Sequence, residues 1–94
     1  MAAPAAAAGD LETLPATERG FQDKVQAIIE PGHRIDDALR ILEAHRFECR
    51  EFANKVPVIH CARLDEPRYY QVMIEPTRRG TVGAVTPSLG IIRR

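Results

Sequence analysis

Ninety-four residues are enough for one domain, and thirteen basic side chains balance thirteen acidic ones. Zero net charge argues against a dedicated binder of nucleic acid or anionic membrane, whose affinity comes largely from neutralising phosphates. No apolar run reaches the eighteen or so residues needed to span a bilayer. A chain this short buries only about 60% of its unfolded surface, so a covalent staple would help it.

Residues 1–16 are rich in alanine and proline and show no sustained period, which predicts a flexible tail ahead of a single α+β domain at 17–94. Met1 to Ala8 lacks a basic start and a leucine-rich stretch, so it does not read as a complete signal peptide. It fits either a native start or the remnant of a removed secretion signal.

A first helix is expected from about Thr17 to Glu30. Phe21, Val25, Ile28 and Ile29 fall on one face, Thr17 can cap the start, and Pro31-Gly32 stops the run. A second helix follows from about Ile35 to His45. Ile35, Ala38, Leu39 and Leu42 form its apolar stripe, with Ile41 on the flank.

Beyond this helix the period changes. Phe47 to Phe52 reads as a short strand and Val56 to Leu64 as a second, with Pro57 near its start. Asp65-Glu66-Pro67 makes a turn. Arg68 to Glu75 then alternates, with Tyr70, Val72 and Ile74 on one face and Tyr69, Gln71, Met73 and Glu75 on the other. A loop at Pro76–Gly80 leads into a strand at Thr81–Thr86, which Pro87 is expected to end, and Leu89–Ile92 can add a short last pairing. Helices first and strands afterwards predict two helices packed on one face of a three- to four-stranded antiparallel sheet.

Cys49 and Cys61 are the first candidates for chemistry. If their strands pair, a disulfide closes a short loop worth about 3 kcal/mol, provided the compartment is oxidising. Two buried reduced thiols are the alternative. A zinc site drawing on His45, Cys49, His60 and Cys61 is disfavoured, because neighbouring strand residues such as His60 and Cys61 point to opposite faces. A cysteine–histidine nucleophile lacks an orienting carboxylate and a glycine-rich oxyanion loop. No phosphate-binding glycine loop, paired-carboxylate motif or nucleophile elbow is present, and the charged residues read as a solvated surface. No metal, cofactor or catalytic residue is therefore assigned. Tyr69, Gln71 and Met73, on the strand face away from the core stripe, are candidate partner contacts, together with Arg78 and Arg79 in the 76–80 loop. After Glu75 the only charges are Arg78, Arg79, Arg93 and Arg94, a basic bias that would suit an acidic partner.

Pro31-Gly32-His33-Arg34-Ile35-Asp36-Asp37-Ala38-Leu39, then Leu42, Phe47-x-Cys49, Cys61-x-Arg63 and an Arg-Gly turn between two strands resemble the β-lactamase inhibitor protein-like fold. The resemblance covers about residues 20–92. It implies a helix pair leading into an antiparallel sheet, a cysteine pair near the join that maps onto Cys49 and Cys61, and protein binding through sheet and loops. Two positions depart from that pattern. Arg34 stands where a small polar residue or proline usually caps the second helix, and Arg46 stands where a glycine usually ends it. No lipid-attachment cysteine lies near the start.

The expectation is a small non-enzymatic, inhibitor-like binding or accessory module of the bacterial cell envelope, periplasmic or secreted. Its partner would be another protein, and a sheet edge would allow a homodimer. The alternatives are a cytosolic regulator with reduced cysteines and a small zinc- or thiol-dependent protein.

Overall fold

The structure, a computed structural model, describes residues 11, 13–52 and 57–93. Helix α1 spans Glu18–Ile28 and α2 spans Ile35–Ala44; the strands are β1 (Glu48–Phe52), β2 (Val58–Asp65), β3 (Arg68–Pro76) and β4 (Val82–Ile91). The strands form one antiparallel meander in the order β1-β2-β3-β4, with the helices N-terminal to them. The α+β class and the antiparallel sheet are as the sequence predicts. Val56, expected to open the second strand, and most of the expected tail lie outside the described residues.

The helix ends follow from local chemistry. The Thr17 hydroxyl accepts from the Gly20 amide at 3.1 Å and so caps α1. Beyond α1 the chain turns through Gly32, whose φ of 96° is open to glycine at little cost. At the other helix end, the amides of Arg46 and Phe47 reach back to the carbonyls of Glu43 and Leu42 at 3.2 and 3.0 Å. This is a Schellman motif with Leu42 and Phe47 as its buried apolar pair. The motif needs a left-handed residue, and Arg46 takes that conformation at φ 69°. Arg34, at the start of α2, makes no side-chain cap; the Ile35 amide instead donates to the Gly80 carbonyl at 2.9 Å.

Helix α1 lies over β4 and α2 over β1. Phe21, Val25 and Ile29 meet Leu42, Phe47, Tyr70, Val72 and Ile74 in one buried core. Phe21 is its hub, 4.7 Å from the Tyr70 ring and 6.4 Å from the Phe47 ring, centroid to centroid. The domain also reaches further toward the N-terminus than residue 17. Leu11 is fully buried, Leu14 packs against the core, and the Tyr70 hydroxyl donates to the Pro15 carbonyl at 2.7 Å. These leucines sit in alanine-rich sequence without a period of their own, so their partners are visible only in three dimensions.

The expectation that Pro87 ends a strand is corrected: β4 runs on through it to Ile91. Cys49 faces Cys61 with Cα atoms 3.9 Å apart, the close spacing of a non-hydrogen-bonded antiparallel pair. Alternation across the sheet then makes Cys61–Val72 a hydrogen-bonded pair and Val72–Pro87 a non-bonded one. The nitrogen of Pro87 therefore points out of the edge, where no ladder bond is lost.

Candidate functional site

Period-two alternation gives the sheet two unlike faces. Ile59, Cys61, Tyr70, Val72 and Ile74 point to the helices and are buried. Val58, His60, Ala62, Leu64, Tyr69, Gln71 and Met73 point the other way, and among the described residues no helix lies over them. Phe52 of β1 joins this second face opposite Val58. Phe52, Leu64 and Met73 are 49, 52 and 43% exposed, high values for large apolar side chains on a regular sheet.

The uncovered face is ordered by its own contacts. His60 Nε2 lies 2.8 Å from Gln71 Oε1, and the Phe52 and His60 rings stand 6.0 Å apart at 57°. A depression of about 280 Å³ opens between Glu48, Arg50, Phe52, His60, Ala62 and Tyr69. A second, of about 200 Å³, continues beside Leu64. Both are lined by Tyr69, Ala62 and Glu48, so apolar and charged groups share their walls.

Of the predicted contacts, Tyr69, Gln71 and Met73 do share this face. Arg78 and Arg79 do not: they stand in the β3–β4 loop, which the Thr77 hydroxyl holds closed through Thr81 at 2.7 Å and the Arg79 amide at 3.2 Å. Arg79 instead lines a separate groove of about 500 Å³ with Arg34, Asp36 and Glu51, whose charges oppose one another. Phe52, His60 and Leu64 belong to the open face without having been proposed as partner contacts from the sequence. For His60 and Leu64 the signal was the alternation of Val58 to Leu64 once Cys61 is placed inward, whereas Phe52 joins through its pairing with Val58.

Cys49 and Cys61 are bonded, with an S–S distance of 2.05 Å. His60 and Cys61 do lie on opposite faces, and among the described residues no group of three or more His, Cys, Asp or Glu is placed to hold a metal ion. No helix among them is long and apolar enough to cross a membrane.

One charged residue departs from the expected solvated surface. Arg63 is 6% exposed and forms a fork with Asp65, Nη2 to Oδ2 at 2.8 Å and Nε to Oδ1 at 3.1 Å. Its Nη1 donates to the carbonyls of Leu11 at 3.0 Å and His45 at 3.1 Å. Arg63 thus ties the N-terminal segment, the end of α2 and the β2–β3 hairpin together on the core side. It follows Cys61 by two in the inward row, which is the only sequence signal for its burial.

Comparison with protein-family models, curated proteins and solved structures finds no match to this chain.

Proposed function

We propose that this chain is a small, non-enzymatic, inhibitor-like module that binds another protein through the uncovered face of its sheet, in the bacterial cell envelope. The observation that carries the reading is the open face itself. Phe52, Leu64, Tyr69 and Met73 are held on rigid strands beside depressions large enough to take an apolar or aromatic side chain. Anchors already fixed by a sheet lose little entropy on binding, which favours affinity. Glu48, Arg50 and Gln71 around them would set the partner's orientation. The partner that fits presents one protruding aromatic or aliphatic side chain ringed by polar groups of both signs.

The Cys49–Cys61 disulfide supports an oxidising compartment. The envelope assignment joins that to the resemblance to the β-lactamase inhibitor protein-like fold.

A photo-crosslinking residue at Tyr69, compared with one at the exposed helix position Gln26, tests the reading in cells of the source organism. One discrete protein adduct is expected from position 69, lost on Met73→Asp, with none from position 26. The same adducts from both positions, or none from position 69, would end it.

A further inference from the structure

The two edges of the sheet are finished differently. On β4, Pro87 has no N–H to offer, the Leu89 amide donates to the Glu18 carboxylate at 3.1 Å, and the Pro87 carbonyl accepts from Gln22 Nε2 at 3.2 Å. Lower down, the helix linker closes the same edge: the Val82 amide donates to the His33 carbonyl at 2.7 Å and the Gly32 amide to the Val82 carbonyl at 2.8 Å. That edge is blunted against a further strand.

The β1 edge has no such cover among the described residues. Because Cys49 and Cys61 are a non-hydrogen-bonded pair, the amide and carbonyl of Cys49 point away from β2, as do those of Glu51. The Phe47 amide is already bonded to Leu42, while its carbonyl stands at the head of the same edge.

From this we propose that two copies of the chain pair through β1, antiparallel and centred on Cys49, into one continuous sheet. Charge selects the register. With Cys49 and Glu51 turned outward, a symmetric pair can centre on Cys49, Arg50 or Glu51. Centring on Arg50 sets Arg50 against Arg50, and centring on Glu51 sets Glu51 against Glu51; both oppose like charges. Centring on Cys49 places Glu48 opposite Arg50 of the second copy, twice. The Cys49 amides and carbonyls then bond reciprocally, and each Glu51 amide reaches the other copy's Phe47 carbonyl. The two-fold axis stands normal to the sheet, so the open faces of both copies lie on one side and form a larger surface. The pairing does not rest on the function proposed for that face.

Sedimentation equilibrium across a dilution series of the oxidised protein tests it. A dimer is expected, with Arg50→Glu raising its dissociation constant about ten-fold and the exchanged pair Glu48→Arg/Arg50→Glu restoring it to within about three-fold. Amide hydrogen exchange at Cys49 and Glu51 should slow as the dimer forms. A monomer throughout, a dimer unmoved by Arg50→Glu, an exchanged pair that fails to rescue, or a dimer whose Cys49 and Glu51 amides still exchange fast would each overturn the proposal.

Discussion

Strand β3 carries both faces of the molecule in alternate residues, and the two have opposite fates. Tyr70, Val72 and Ile74 are buried under the helices, while Tyr69, Gln71 and Met73, one position away, look outward. The inner set is held by the core it fills. The outer set lies outside that core. On a sheet with helices on one side, parity along the strand thus separates the residues that build the core from those left on the open face, where the proposed binding would take place.

That division is open to test by substitution, read from denaturant midpoints. The largest effect is expected at Phe21, where alanine removes the ring that meets both Phe47 and Tyr70 and should cost about 4 kcal/mol. A loss under 1 kcal/mol would mean that the two layers are not packed as described. Replacing both Cys49 and Cys61 with alanine should cost about 3 kcal/mol, from the freedom returned to the unfolded chain by opening a link of sequence separation 12. Mass spectrometry of natively produced protein should show no alkylation at Cys49 or Cys61 before reduction and alkylation of both after it.

Arg63→Met should cost about 2 kcal/mol, because the carbonyls of Leu11 and His45 lose a donor. The half-open setting of Asp65, 34% exposed, keeps the figure below that of a fully buried pair. Proteolysis after residue 11 should also quicken in that variant; an unchanged cleavage rate would remove Arg63 from its tying role. Arg46→Gly should act in the other direction and stabilise by about 1 kcal/mol, since glycine takes the left-handed conformation without a Cβ penalty. Smallest of all, Met73→Asp should move stability by less than about 0.5 kcal/mol. A larger loss there would show that the outer face also helps to hold the domain together.

Much of this fold was legible in the amino-acid order. The 3.6-residue spacing of Phe21, Val25 and Ile28 placed α1, Pro31-Gly32 its end, and the alternation around Tyr70 the two faces of β3. Arg46 was legible as a poorly suited helix terminator. Other features resisted for identifiable reasons. Proline reads locally as a strand end, yet Pro87 is harmless where the edge needs no donor. Leu11 and Arg63 depend on contacts with segments 52 residues apart, which no local window contains.

The open face lay between these extremes. Tyr69, Gln71 and Met73 came from one strand's period, whereas His60 and Leu64 depended on which way Cys61 faces and Phe52 on the register of β1 with β2. Arg78 and Arg79 are near Met73 in sequence but leave the sheet with the loop.

By itself the chain determined which segments are helical, which are extended, and which side of β3 is oily, because period and turn chemistry act over a few residues. Only the tertiary structure decided strand order, the burial of Arg63 and Leu11, and which edge and which face stay uncovered. Those depend on where two helices come to rest on a four-stranded sheet, and that is a property of the assembled layers rather than of any one stretch of sequence.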